Sequence, residues 1–190
     1  MSMYIIGNGA HAKMLQGWLW GPPKLLRHDE PAPGNTDVFI GVGNKPTVGD
    51  SDLQRRADLY ARYNKRRGAF IHDAAIVDSR AKLGFGHQIM PRAVVNPGAT
   101  VGDNVIINTG AIIEHDCHIG NHSHIAPGAV ICGGARVGDL THIGAGAIVI
   151  QGVTVGDRCV IGAGAVVTRD VPAGATVMPG RGSILLAPPG

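Results

Sequence analysis

An aliphatic residue stands at every sixth position of this chain from Ile71 to Val167, seventeen in succession without a break. Four residues after each comes a small or modest side chain, such as Ala75, Ala93, Ala111 or Cys117, with His87 as the one bulky exception. Both positions look inward. In a straight strand the position two after each aliphatic residue would look inward too, because side chains alternate faces. That position is instead mostly polar, Gly or Pro (Pro97, Asp103, His115, Asn121, Pro127, Gly133, Asp139). The chain must therefore turn a corner there. Glycine recurs at the next position (Gly86, Gly98, Gly110, Gly128, Gly134, Gly146), as a corner needing positive φ demands. A period of six is that of β-helix repeats. The pattern predicts four-residue strands between corners, three sides to a coil, and residues 18 apart stacked about 4.8 Å from one another.

The three outward columns differ. One is aliphatic throughout: Ile76, Val94, Ile112, Val130, Ile148 and Val166. The second holds Lys82, Thr100, His118, Arg136 and Thr154, and the third Gln88, Ile106, His124, His142 and Val160. An apolar stripe along every coil predicts a protein interface, since monomers rarely leave one in water.

The first seventy residues follow another pattern. Tyr4-Ile5-Ile6 runs into Gly7-Asn8-Gly9 and then a stretch whose Met14, Leu15, Trp18 and Leu19 share a helical face. A second strand spans 37–42 and ends in Gly43-Asn44, and Asp50 or Ser51 can cap a helix carrying Leu53, Ala57 and Tyr60. Pro22-Pro23 and residues 28–36 read as loop. The expected organisation is a small αβ, Rossmann-like domain over 1–70 and a mainly β domain, a parallel β-helix of hexapeptide repeats with a short tail, over 71–190.

Charge narrows the function. Residues 1–70 carry ten Lys/Arg against six Asp/Glu (+4), residues 71–190 seven against eight (−1). Neither half has the basic excess of a nucleic-acid binder. No uninterrupted apolar run of about 18 residues and no signal-like start occur, so a cytoplasmic protein without membrane insertion is expected. Cys117, Cys132 and Cys159 lack zinc-finger or CxxC spacing and read as reduced packing residues.

Four segments, IIGNGAHAK, FIGVGN, INTGAIIEHDCHIGNHSHIAPGAVICGG and GAGAVVTRDVPAGATV, together resemble the sialic-acid O-acetyltransferase family, which includes nucleotide-amino-sugar N-acetyltransferases of bacterial glycan synthesis. The resemblance implies a left-handed β-helix, a homotrimer, and acetyl-CoA held between subunits with no metal. It matches His115 to the family's general base and Asp116 to the acidic residue that raises its basicity, with Glu114 in reserve. An attacking amine or hydroxyl must lose its proton, and an imidazole is suited to accept it. His124 and Asn108 match positions near thioester and substrate. Gly133 lies 18 residues after His115, where its N–H could meet the acetyl carbonyl and its lack of a side chain leaves room for the thioester. Ala145 and Ala163 match backbone contacts to CoA, and Gly9, His11, Gly43 and Asn44 contacts to a nucleotide. The chain departs from the family in being short between the first helix and Asp37, where relatives carry a strand ending in acidic residues. It departs again in its tail, MPGRGS in place of a GVPA-like ending.

The expected activity is acetyl-CoA-dependent N-acetylation of a nucleotide-linked amino sugar of the 4-amino-4,6-dideoxy type. O-acetylation of sialic acid or another small hydroxyl acceptor is the alternative, and a non-catalytic scaffold or a metal enzyme are rivals. Trimeric β-helix carbonic anhydrases require histidines five apart with a third 36 residues earlier. No pair among His72, His87, His115, His118, His122, His124 and His142 has either spacing.

Overall fold

A computed structural model describes residues 3–6, 10–18, 24–26, 37–40, 51–63, 69–180 and 184–185. The hexad pattern becomes a parallel β-solenoid, built of two-residue strands from β4 (Phe70–Ile71) to β21 (Thr176–Val177). The strands comprise only the outward residue and the inward aliphatic that follows it, as in Ile112–Ile113 or Val130–Ile131, shorter than the four residues expected. Successive coils pair in parallel at a spacing of 18: Ile112 with Val130, His118 with Arg136, His124 with His142. Between strands the backbone turns at each corner, and φ is positive there at Gly98, Gly128 and Gly134, but equally at Arg92, Asn104, Asp116, His122, Leu140 and Arg158.

Inward positions from Ile89 to Val167 form one closed core. Ile71 belongs to the same column, yet it is 44% exposed, because no coil lies beneath the first. The period breaks at the other end. Val155 bridges to Val171 and Ile161 pairs with Val177, both 16 residues on, and β22 (Ile184–Leu185) then pairs antiparallel with β21.

One corner carries a ladder of carboxylate and amide side chains. Oδ1 of Asp103, Asn121, Asp139 and Asp157 accepts the backbone N–H of Phe85, Asp103, Asn121 and Asp139, each one coil below, at 2.6–2.9 Å. The preceding glycine of the lower coil makes room. A Cβ on Gly120 would lie 2.5 Å from Asp139 Oδ1, and one on Gly102 2.7 Å from Asn121 Oδ1.

The N-terminal segment forms a three-stranded parallel sheet in the order β2-β1-β3, where β1 is Met3–Ile6, β2 Lys24–Leu26 and β3 Asp37–Ile40. Helix α1 (Ala10–Trp18) follows β1, and α2 (Ser51–Arg62) follows β3. Strand β2 lies in the short stretch between the first helix and Asp37, between Pro22-Pro23 and the 28–36 loop, where the sequence pattern assigned no strand. Three residues behind Pro22-Pro23 are too few to show a periodicity, and only pairing with β1 reveals them. This sheet and α1 pack Ile5, Leu15 and Phe39 against Phe70 and Met90 of the solenoid.

The docked unit covers the third outward column, where Gln88, Ile106, His124, His142 and Val160 are all buried. It leaves the aliphatic stripe bare, with Ile76 66% and Val166 55% exposed. The seam is polar. Gln88 Nε2 donates to the Ile40 carbonyl at 2.9 Å, so its Oε1 must be the acceptor of His11 Nε2–H at 2.7 Å. Fully buried Arg56 donates to the carbonyls of Ile40 (2.6 Å) and Asn104 (3.4 Å), while Asn104 Nδ2 returns a bond to the Arg56 carbonyl. Tyr60 OH donates to Asp103 Oδ2 at 2.8 Å, tying α2 to the ladder.

Burial makes the histidines along this seam hard to charge. Desolvation, with help from the Arg56 charge, pushes His11 down to about 4. Desolvation alone takes His142 to about 4, and desolvation, with neighbouring His142, His11 and Arg56, holds His124 well below its ordinary value. These depressed values fix the sign of a pH effect. The unfolded chain takes up protons on these rings near pH 6.5, and the folded chain does so on His11 and His142 only near 4. Their contribution to stability is therefore complete above about pH 6.5 and lost as pH falls towards 4. Each ring still neutral contributes a slope of about 1.4 kcal/mol per pH unit in that window. Urea unfolding between pH 7 and 4.5 should show a loss of several kcal/mol, and His142→Asn should flatten the slope by up to one proton. A stability independent of pH across this range would contradict the assignment.

Candidate active site

After Ile112–Ile113 the chain leaves its strand, Glu114 N–H still bonding to the Ile131 carbonyl, and turns the corner through His115 and Asp116. Asp116 holds φ at +59°, a conformation that Asp tolerates better than most residues. The turn swings its carboxylate beside the preceding ring. His115 Nδ1 donates to Asp116 Oδ2 at 2.9 Å. The proton is thereby assigned to Nδ1, and Nε2 keeps a lone pair. Both side chains are open to solvent, 61% and 73% exposed. Glu114 lies half-buried on the outward face beside the stripe.

Directly above, in the next coil, is Gly133. A Cβ there would lie 2.6 Å from His115 Nε2 and 2.8 Å from Cε1. This corrects the expectation that the missing side chain clears space for a thioester, because the His115 ring itself fills the space. The Gly133 N–H has no acceptor among the described residues, whereas the next residue, Gly134, donates to the His115 carbonyl at 2.9 Å.

A second polar group occupies the opposite edge of the stripe. Thr109 N–H donates to Asn108 Oδ1 at 2.8 Å, which turns Asn108 Nδ2 towards His124 Nε2 at 3.1 Å. His124 Nε2 is therefore an acceptor, and its ring proton belongs on Nδ1, a buried atom with no hydrogen-bond partner. The His142 ring stacks edge-on to that of His124, with centroids 5.1 Å apart. Ala145 and Ala163 are exposed on the corner above Pro127, and Gly146 and Gly164 beside them have no neighbour where a Cβ would stand.

Within one chain these two groups do not meet. Six residues lie between Asn108 and His115 and span one side of the prism, at most about 23 Å at ~3.3 Å per residue. His11 sits in α1 on the seam, while Gly9, Gly43 and Asn44 lie outside the described residues. Sequence reasoning missed the buried positions of Gln88 and Arg56, because nothing in the residue pattern marks the third column as covered. Among the described residues, no three His, Cys, Asp or Glu side chains converge as a metal site, and no helix is long and apolar enough to cross a membrane.

One family model and several solved structures match the chain. Residues 100–133 and 134–169 match the bacterial transferase hexapeptide family (six repeats). No curated protein sequence matches the chain. The acetyltransferase domain of PglB from Neisseria gonorrhoeae is 30% identical with a TM-score of 0.79, over 92% of this chain and 95% of that one. A second structure of that domain, in complex with acetyl coenzyme A, gives 28% identity and a TM-score of 0.80, covering 92% and 94% of the two chains. A single-residue variant of GDP-perosamine N-acetyltransferase from Caulobacter crescentus, in complex with CoA and GDP-perosamine, is 29% identical with a TM-score of 0.81, over 97% and 96% of the two chains. With this identity, coverage and repeat, the chain belongs to the hexapeptide-repeat sugar acetyltransferases.

Proposed function

We propose that the protein uses acetyl-CoA to acetylate the amine of a nucleotide-linked 4-amino-4,6-dideoxy sugar, with His115 as general base. The observation that carries this reading is the His115–Asp116 hydrogen bond beneath Gly133. With its proton on Nδ1 and held by a carboxylate, the ring offers Nε2 to the attacking amine, and Asp116 stabilises the imidazolium that forms. The uncommitted Gly133 N–H, on the same corner, is placed to meet charge developing on the acetyl oxygen. Acetyl-CoA supplies the activated acyl group. The small corner residues Ala145 and Ala163 fit a pantetheine arm running along the prism edge.

The two polar groups on opposite edges of the stripe become one site if the solenoid is left-handed and trimeric, with the stripes meeting at a threefold axis. His115 of one subunit then faces Asn108 and His124 of its neighbour. The exposed Ile76, Ile148 and Val166 support this use of the stripe. Residues 1–70 act in this reading as a Rossmann-like nucleotide-binding domain beside the solenoid domain, 71–190. The strand order β2-β1-β3 creates a switch point at the carboxyl ends of parallel strands, where ligands of such sheets bind. In this reading the nucleotide contacts are His11 and Gly9, which follow β1 in the sequence, and Gly43 and Asn44, which follow β3. The perosamine N-acetyltransferase of Caulobacter crescentus occurs in complexes with CoA and GDP-perosamine, which supports a nucleotide-linked amino sugar as the acceptor here. A cytoplasmic reaction, where acetyl-CoA and nucleotide-linked sugars would both be at hand, is part of this reading.

The direct test is thiol release from acetyl-CoA with a panel of UDP-, GDP- and TDP-linked amino sugars. Release only with hydroxyl acceptors would move the activity to O-acetylation. His115→Ala should lower kcat by about two orders of magnitude or more while acetyl-CoA affinity stays near normal, and Asp116→Asn should be milder. Near-normal turnover by His115→Ala removes its role.

The stripe gives a separate prediction. Burying each β-branched side chain contributes roughly 1.5–3 kcal/mol, and a charge in its place is costly. Val130→Asp should therefore sediment as a monomer without activity. Mixing His115→Ala with His124→Ala subunits should restore some activity, and a fully active Val130→Asp monomer would confine the site to one chain.

A further inference from the structure

The carboxylate of Asp116 is held from below as well as from the side. Its Oδ2 takes the proton of His115 Nδ1 at 2.9 Å. Its Oδ1 occupies the place where a side chain of Gly98, one coil down, would begin. A Cβ built on Gly98 runs into Asp116 Oδ1 and lies 3.3 Å from the carboxylate carbon.

Conformation alone does not call for glycine at this position. Gly98 has φ of +75°, but Arg92, Leu140 and Arg158 occupy equivalent corner positions at +54° to +61° with full side chains. Nor is close approach general at these corners. Gly110, Gly128, Gly134, Gly146, Gly152 and Gly164 share the positive φ, and a Cβ on any of them meets nothing within 4 Å. Gly98 differs from them in having the Asp116 carboxylate over it. The dyad needs such a seat. Both of its side chains are largely exposed, so little packing from elsewhere holds them, and an exposed ion pair gains little net energy with which to order itself.

We propose that Gly98 is a positioning residue of the reaction, its missing side chain forming the notch that seats the Asp116 carboxylate against His115. Gly133 encloses the ring from above in the same way, so the dyad lies between two positions without side chains. This inference rests on the reading of His115 as general base. It adds a determinant that touches no reactant and acts through Asp116.

The test compares Gly98→Ala with Gly152→Ala, which imposes the same backbone strain over open space. In nitrogen-15 NMR the His115 ring should show the Nδ1–H tautomer in the unsubstituted protein and in Gly152→Ala, and a mixture of tautomers in Gly98→Ala. Gly98→Ala should lower kcat by about tenfold with little change in KM for acetyl-CoA, as loss of an orienting partner does. In an Asp116→Ala background, where no carboxylate remains to be displaced, adding Gly98→Ala should cost no more than adding Gly152→Ala. If Gly98→Ala alone does not fold, this double variant should, because the collision is gone. An unchanged tautomer and kcat in Gly98→Ala overturns the inference. So do additive losses in the Asp116→Ala background, or a double variant that fails to fold where Gly152→Ala folds. Full turnover by His115→Ala would sink the general-base reading instead, while the tautomer measurement still decides what Gly98 does.

Discussion

Everything in the solenoid depends on the hydrogen bonds between coils, which lock residues 18 apart into vertical register. Ile76 N–H reaches the Ala93 carbonyl, Val94 the Ala111 carbonyl and Ile112 the Ala129 carbonyl, all at 2.9 Å. Neighbouring coils are then about 4.8 Å apart, less than the depth of a folded-back side chain. A large group turned along the axis at one level therefore requires a glycine at the next. The ladder from Asp103 to Asp157 uses this exchange for stability, each Oδ1 bonding to a backbone N–H below and lying over a glycine. The His115–Asp116 corner uses the same exchange without backbone partners, which leaves both side chains open to solvent. The ladder corner and the His115–Asp116 corner are thus two outcomes of one spacing rule.

The N-terminal unit adds what the repeat cannot supply, a cover for one face. It joins the solenoid through an apolar patch of Ile5, Leu15 and Phe39 on Phe70 and Met90 and through polar bonds of His11, Arg56 and Tyr60 with the solenoid's Gln88, Asn104 and Asp103. Burying Arg56 at this seam pushes its pKa down to about 9 through desolvation, and its charge in turn helps to keep His11 and His124 neutral. Docking and protonation state are coupled there, and the ring of His124 reaches the Asn108 side of the proposed cleft as a neutral acceptor.

The solenoid was legible in the sequence because a period of six, held through seventeen successive positions, leaves no freedom in register, and the columns read from it are the columns observed. The burial of Gln88, His124 and His142 was not legible, since a mixed polar column looks alike beneath a docked domain and in water. Strand β2 was hidden by its three-residue length. Of the candidate site, the adjacency of His115 and Asp116 at a corner was readable, but the filling of the Gly133 space was not, because it depends on which way the ring turns. Gly98 escaped notice for a similar reason. A corner glycine is sufficiently explained by φ until Arg92, Leu140 and Arg158 are seen to manage without it.

The contracted final coil bears on how such a molecule can change length. Because Val155 and Val171 are 16 residues apart where every lower coil uses 18, the top turn is out of step with the stack beneath it and cannot template another. Growth must therefore occur by insertion within the array, and the threefold cross-section permits only one unit. Eighteen added residues leave every column above them on its own face. Six added residues between Asp116 and Gly133 would rotate the upper half of the molecule by one side, set a different corner over His115, and break the aliphatic stripe in two.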